Sequence, residues 1–488
     1  MNALAQIYKH NLALLTDLYQ LTMGYGYWQA GLAEKEAAFH LFFRKHPFGG
    51  GFSVACGLSQ AIEYLKDFHF TEEDLAYLST LTGNDDKPLF DQGYLDYLKE
   101  MTFQCDIDAI PEGTVVFPHE PLIRVKGPII QCQLVETALL SIINFQTLVA
   151  TKSARICQSA KGDPVLEFGL RRAQGIDGGL SASRAAYIGG VAATSNVLAG
   201  KIFDIPVKGT HAHSWVMCFD SELASFETYA KAMPNNCVFL VDTYDTIQGV
   251  KHAIEIGKQL RQSGHEMLGI RLDSGDLAYL SNEARDLLDE AGFPDAKIIA
   301  SNDLDEYVIN SLKQQGATIA IWGVGTRLAT AHEQPALGGV YKLSALRDKD
   351  GQWEYKIKLS EQSIKISNPG LQQVRRFSGS NYFIADMLYD EELGPDTNVI
   401  IDPSDNTRRK HMTETDPFED LLVPIFRAGS LVYEAPSIHD IRARAHTQLA
   451  TFHKGIKRFV NPHSYPVGLE QRLYERKTEL ILKARGFA

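Results

Sequence analysis

Positive charge is in deficit in this chain: 48 Lys and Arg stand against 60 Asp and Glu, a net charge of -12. A nucleic-acid partner requires a basic face, so none is expected. An anionic substrate must then be held by a few local Arg, Lys or backbone N–H groups. Cysteine is scarce and scattered, with six residues at Cys56, Cys105, Cys132, Cys157, Cys218 and Cys237 and no C-x-x-C pair. That spacing suggests neither a zinc knuckle nor a disulfide framework. No run approaches the roughly 20 apolar residues of a membrane span. The opening MNALAQIYKHNLALLTDLYQ lacks the charge, apolar run and small-residue site of a signal peptide. A reducing, cytoplasmic setting is expected. Internal repeats and low-complexity linkers are absent too, and 44% apolar with 22% charged residues is the balance of a globular enzyme.

What is present is length and rhythm. At 488 residues the chain has room for two or three structural units. Residues 1–130 mix helices with short strands, and the alternation and Gly/Pro punctuation of 115–128 predict a β-hairpin. Residues 131–156 place Leu134, Ala138, Leu139, Ile142, Ile143, Leu148 and Val149 as in a buried helix. Short apolar runs then recur as PVLEF, IPVKG, CVFLVD, LGIRLD, KIIASND and IAIWGVG. Helical patterns lie between most of them. That is serial β-α-β with buried parallel strands, and six units in one block favour an α/β barrel over an open sheet. Beyond about 345 the pattern is mixed. Asp350-Gly351 predicts a hairpin turn, and the tail from Ser437 reads as helical, charged and solvated.

In a barrel the active site gathers at the C-terminal ends of the strands. The residues found there are Phe168, Arg171 and Arg172; then His211, His213 and Ser214; then Asp242; Arg271 and Asp273; Asn302 and Asp303; and Gly323, Gly325 and Thr326. Carboxylates after successive strands suit ribose hydroxyls and Mg²⁺, a hard ion that prefers oxygen. Gly-x-Gly-Thr opening a helix suits an anion through bare backbone N–H groups. Paired arginines can fork onto a carboxylate or phosphate. Together they describe a site for a sugar phosphate plus a small acid. Singly, each has a plainer use. Gly-x-Gly-Thr can be a tight turn, Asp273-Ser274-Gly275-Asp276 a helix N-cap, Phe168 core, and the arginines a surface pair. Their recurrence after consecutive strands weakens those uses.

The H-x-H of His211 and His213 suggests either a metal site or phosphoryl transfer. A metal-dependent barrel hydrolase needs further histidines on later strands. Those strand ends carry Asp, Asn and Gly instead. The hydrolase remains the alternative, and a non-catalytic ligand-binding protein that kept the pocket is a second.

LLTDLYQLTMGYGYW, FFRKHPFGGGF, EFGLRRAQGIDGGLSASRAAYIGGVAATSNVLAGK, GTHAHSW, VDTYDT, RLDSGDL and WGVGT closely resemble the nicotinate phosphoribosyltransferase family, in order, to about residue 345. The resemblance implies that nicotinate and phosphoribosyl pyrophosphate give the mononucleotide and pyrophosphate, with ATP hydrolysis coupled through a phosphohistidine and Mg²⁺ on the substrate phosphates. It implies His213 as phosphoacceptor, Asp242 orienting its ring, and His211 as a structural neighbour. Phe168 would stack on the pyridine ring, and Tyr19 of a second subunit would cover the other face. Arg171 would meet the carboxylate, with Ser195 and Asn196 at the pocket edge. The neutral Asn196 favours the acid over nicotinamide, whose transferase remains a further alternative. Asp273 would hold ribose hydroxyls with Arg271 beside the ring, and Ser214 would lie near the ribose phosphate. Asp303, Gly323, Gly325 and Thr326 would cradle the 5′-phosphate. Lys342, Lys365 and Arg375 are further candidates for phosphate contacts, or simply solvated. The expected architecture is an N-terminal α+β region (1–130), an irregular (β/α) barrel (131–345) and a C-terminal region (346–488) packed with the first. A homodimer is implied.

Overall fold

The computed structural model of the chain describes residues 11–487. The first half of the opening stretch read for a leader, MNALAQIYKH, lies outside them. The chain divides into two compact units. One combines the residues up to Thr147 with those from Ala336 onward; the other is Leu148–Pro335. The boundary therefore falls inside the helix Glu136–Ser159, not near residue 131.

Leu148–Pro335 carries the β-α-β rhythm. Its parallel sheet has six strands, in spatial order Ala193–Thr194, Val165–Glu167, Ile321–Val324, Lys297–Ala300, Gly269–Leu272 and Val238–Leu240. Their residues are mostly buried, which is why each reads as a continuous apolar run rather than an alternating one. IPVKG is not a full strand. It contributes a single parallel bridge, Val207 to Thr194, because Pro206 has no N–H to give the ladder. The unpredicted Ala193–Thr194 takes the edge position. The sheet's two end strands are not paired with each other among the described residues, so a mixed α/β fold is seen and no closed ladder is found. Polar caps start the intervening helices. Asp245 accepts from Gln248 N–H ahead of Thr246–Gln262, and Asp276 accepts from Ala278 and Tyr279 N–H ahead of Leu277–Glu290.

The other unit is built mainly on two sheets, of which the first joins strands from the N-terminal and C-terminal parts and the second is C-terminal throughout. A seven-stranded sheet runs Trp353–Tyr355, Val340–Arg347, Glu36–Phe42, Ile123–Pro128, Asp106–Ala109, Val423–Arg427, Ser430–Leu431. The Asp350-Gly351 turn joins its first two strands, with Arg347 opposite Trp353. The predicted hairpin at 115–128 does not form. Val115–Val116 pairs with Ser53–Val54, while Ile123–Pro128 pairs with Glu36–Phe42 and Asp106–Ala109. Between them Glu120 accepts the Phe117 N–H and His119 sits at φ 70, a tight turn that sends the two strands to different sheets. The C-terminal tail is helical at Ile438–Thr451 and Gln471–Ala484, but Val467–Glu470 interrupts it and joins the second, six-stranded sheet.

The run Ile129–Ser159 is long and apolar enough, by length and composition, to cross a membrane, contrary to the sequence expectation. Its most apolar window is 61% buried within the protein. Near its end Lys152 and Arg155 are fully buried and clamp the buried carboxylate of Glu306 at 2.7 and 2.8 Å. A buried helix carrying buried cations is a core helix.

Candidate active site

The carboxyl ends of the parallel strands open onto a cavity of about 540 Å³. Phe168 and Arg171 come from the turn after Val165–Glu167. His213, Arg271, Asp273, Asp303, Gly323, Gly325 and Thr326 line it as well, together with Arg172, Ser195 and His211. Residues from six separate stretches thus converge because each follows a strand or bridge of one sheet.

The Phe168 ring is set from below and behind. Its N–H donates to Val324 C=O at 2.8 Å. Beneath it the fully buried Glu167 accepts from Gly169 N–H, from Ser183 Oγ at 2.9 Å and from Thr194 Oγ1 at 2.6 Å. Gly323 gives it room, since a Cβ there would stand 2.8 Å from two Phe168 ring carbons. Gly323 lies inside the strand Ile321–Val324. Its lack of a side chain is explained by the aromatic ring rather than by a phosphate. Gly325 and Thr326 do open a helix, but one of only four residues, Thr326–Ala329.

His213 is the first residue of the helix His213–Met217. Its Nδ1 is 3.1 Å from Thr243 Oγ1. Its Nε2 faces Asp242 at 3.9 Å and Asp273 at 3.7 Å. Asp242 does not accept the expected hydrogen bond from the ring, 3.9 Å being too long for one. Asp242 Oδ2 instead accepts from Asp273 N–H at 2.8 Å and Ser274 Oγ at 2.7 Å. Its Oδ1 is buried without a hydrogen-bond partner, an acceptor held beside the imidazole. Thr243, the residue after Asp242 in VDTYD, is the partner that sequence reasoning passed over.

His211 is the opposite case. It is buried, and its Nε2 accepts the Leu240 N–H at 3.2 Å, which fixes the ring proton on Nδ1. Burial pulls its pKa down to about 4. With one nitrogen bound to backbone and the ring stacked edge-on to Tyr229, it is held as a packed neighbour of His213. Among the described residues no group of three or more His, Cys, Asp or Glu is arranged to hold a metal.

Arg271 donates to Ser301 Oγ at 3.0 Å and to Thr210 Oγ1, and pairs with Asp273 at 3.5 Å. Ser301 also donates to Asp273. Ser301 and Thr210 are therefore hubs that the strand-end reading did not single out. Beside them Asn302 holds φ 114, a costly conformation for a residue with a Cβ, and its side chain accepts the Asp303 N–H.

Two expected contacts lie elsewhere. Asn196 is 2% exposed and does not line the cavity; its Oδ1 caps the helix Val197–Phe203 through Ala199 N–H, and its Nδ2 faces Ser183. A short polar side chain before an apolar turn is an N-cap first. Ser214 is exposed on its helix, outside the cavity lining. Tyr19 is exposed on the helix Leu18–Gln29 of the other unit, its hydroxyl donating to Glu136 at 3.3 Å. In that unit Arg375 is committed to Asp420 at 2.8 Å and Lys342 to the Tyr341 carbonyl at 2.7 Å.

The profile of the nicotinate phosphoribosyltransferase (NAPRTase) family matches residues 165–363, that of its N-terminal domain matches 14–144, and that of its C-terminal domain matches 372–477. The nicotinate phosphoribosyltransferase of Bacillus subtilis is 45% identical over 484 residues, 98% of this chain and 96% of that one. The chain belongs to the nicotinate phosphoribosyltransferase family. The Dictyostelium discoideum protein of the same name is 38% identical, covering 96% of this chain and 88% of its own. The crystal structure of human nicotinic acid phosphoribosyltransferase superimposes with a TM-score of 0.83 at 31% identity, over 95% of this chain and 99% of that one. A nicotinate phosphoribosyltransferase is a pentosyltransferase of NAD biosynthesis, and the cavity just described is its candidate active site.

Proposed function

We propose that the enzyme joins nicotinate to the ribose of phosphoribosyl pyrophosphate and couples this to ATP through His213. The balanced reaction is nicotinate, phosphoribosyl pyrophosphate, ATP and water giving nicotinate mononucleotide, pyrophosphate, ADP and phosphate. The observation that carries the reading is His213 between Thr243 on one nitrogen and two carboxylates on the other, at the cavity that holds Phe168 and Arg171. A carboxylate beside one imidazole nitrogen holds the proton there and leaves the opposite nitrogen nucleophilic. With Asp242 and Asp273 on the Nε2 side, Nδ1 is the nitrogen that would take the phosphoryl group. It would leave Thr243 to do so.

Phe168 offers a flat face to the pyridine ring, which gains affinity without using polar groups. Tyr19 of a second copy is the proposed other face, in a homodimer. Arg171 is exposed at the cavity and forks onto the carboxylate. Selection of the acid over nicotinamide then rests on Arg171, and Asn196 acts through the helix it caps. Asp273 takes ribose hydroxyls, with Arg271 holding it in place. Asp303 and the backbone of Gly325 and Thr326 meet the 5′-phosphate end, and Gly323 serves them by seating Phe168. The pyridine nitrogen attacks C1 directly, so catalysis is positioning and charge stabilisation without a strong base.

Mg²⁺ would be held mainly through the substrate phosphates, with the carboxylate oxygens of Asp273 and Asp303 lining the same cavity as hard donors; when bound, it would neutralise the leaving pyrophosphate. The six-stranded sheet is proposed to be the core of an irregular barrel. Six cysteines without a disulfide, Cys105 and Cys132 lying 3.8 Å apart sulfur to sulfur, support a reducing cytoplasmic setting. The test is incubation with phosphoribosyl pyrophosphate, Mg²⁺, ATP and either nicotinate or nicotinamide. Mononucleotide from nicotinate, lost in Arg171→Ala, is expected. Equal use of nicotinamide would overturn the assignment of Arg171.

A further inference from the structure

The unit formed by the N-terminal and C-terminal parts holds a second cavity, of about 550 Å³. It shares no lining residue with the catalytic one. Its volume is in the range of small-molecule sites, which are apolar with a few placed polar groups. Here the apolar part is Ile366, Leu388 and Val467, with Phe117 and Tyr465 stacked 4.3 Å apart at its wall.

The polar part is unbalanced. Lys477, on the helix Gln471–Ala484, points its ammonium at Asn368, whose Oδ1 accepts at 2.8 Å. Among the described residues no carboxylate pairs with it. Asp402 also lines the cavity, but it accepts from Ser404 N–H at 2.8 Å and faces Arg408 at 3.7 Å. Burial accordingly pushes the Lys477 pKa down to about 8. His46 and His119 also line the cavity, and burial holds both neutral, at about 3 and about 4; Lys477 and Arg44 contribute to the His119 value, which puts Lys477 beside that ring. A half-buried ammonium with one neutral partner, beside imidazoles able to donate, lacks only a counter-anion.

We propose that this cavity is a second ligand site, for an organic anion whose carboxylate or phosphate head meets Lys477 and whose apolar body lies against Ile366, Leu388 and Val467. Unlike the catalytic reading, it does not depend on His213 or Phe168.

The probe is naphthalene-2-carboxylate, titrated calorimetrically, with naphthyl phosphate and the neutral naphthalene-2-carboxamide in parallel. The titrations use the Arg171→Ala protein, because the catalytic cavity is itself proposed to take aromatic carboxylates. One equivalent of at least one anionic probe should bind, and the carboxamide should bind at least tenfold more weakly. Adding Lys477→Met should weaken anion binding at least tenfold, while Lys477→Arg keeps it within about fivefold. Lys477→Met alone should melt at the wild-type temperature and turn over nicotinate normally. If neither anion binds Arg171→Ala, or if the Lys477→Met protein binds it equally well, the site does not exist. Failure of Arg171→Ala to impair nicotinate use would count against the catalytic assignment and leave this one standing.

Discussion

Gly323→Ala separates two uses of the same glycine. The new Cβ would stand 2.8 Å from Phe168 Cδ2 and Cε2 and 3.4 Å from Ser301 Cβ. Carbon atoms in contact prefer about 3.5–4.0 Å, so something must move by roughly 1 Å. The Gly323 backbone is fixed opposite Leu166 in the sheet, and the Phe168 backbone is tied to Val324. Ser301 blocks the other side. What can move is the half-buried Phe168 ring, and its free direction is into the cavity, where the pyridine ring is proposed to lie. Overpacking costs about 1–3 kcal/mol; a ring with open space beside it keeps the loss of stability at the low end. Loss of a stacking partner is worth about 0.5–1.5 kcal/mol, and a 1 Å misplacement can cost on the order of 100-fold in rate. Steady-state kinetics should therefore show kcat/KM for nicotinate falling by roughly 10–100-fold, with KM for phosphoribosyl pyrophosphate within about threefold. A rise in the phosphoribosyl pyrophosphate KM with nicotinate unaffected would refute the ring-slot reasoning and restore the phosphate cradle.

Three further outcomes follow from the geometry. Thr243→Val keeps the shape beside His213 but removes the Nδ1 contact that this nitrogen must give up to take the phosphoryl group; a ground-state hydrogen bond worth about 0.5–1.5 kcal/mol predicts coupled ATP cleavage roughly twofold to tenfold faster, measured as ADP release with nicotinate present, and slower cleavage would count against Nδ1 as the acceptor. Glu306→Gln leaves Lys152 and Arg155 buried without their carboxylate, so urea unfolding should show a loss of about 3–5 kcal/mol; a loss below 1 kcal/mol would mean the cations find other partners. His211 has a folded pKa of about 4 against about 6.5 unfolded. A depressed histidine pKa means that the folded state binds fewer protons, so its stabilisation is complete above pH 6.5 and is lost as pH falls toward 4. The upper bound is about 3 kcal/mol. His211→Gln should flatten the stability slope across that window relative to wild type; an unchanged slope would show that the other buried histidines account for all of it.

Much of the site was legible because strand ends mark themselves. A buried parallel strand is a short apolar run, and whatever polar residue follows it faces the ligand side. That logic found Phe168, Arg171, His213, Asp273 and Asp303, and all of them line one cavity. It failed where a residue has two possible uses of similar strength. Asn196 precedes a helix, and capping claimed its side chain. Gly323 fits a cradle on paper, but the ring of Phe168, 155 residues earlier in the chain, decides its role. Thr243 carries no signal of its own; only the fold brings it to His213. The hairpin at 115–128 failed for a related reason. Alternation shows that two segments are strands, whereas their partners, Ser53–Val54 and Glu36–Phe42, are set by long-range pairing.

The central claim is that His213 links ATP cleavage to mononucleotide formation. The most direct measurement is the ratio of ADP to nicotinate mononucleotide in wild type and in His213→Ala, with the phosphorylated nitrogen assigned by ³¹P spectroscopy on trapped wild-type enzyme. The expected result is one ADP per mononucleotide in wild type, phosphate on Nδ1, and a variant that still forms some mononucleotide but releases no coupled ADP. A His213→Ala enzyme that cleaves ATP at the wild-type rate and in step with product would contradict it.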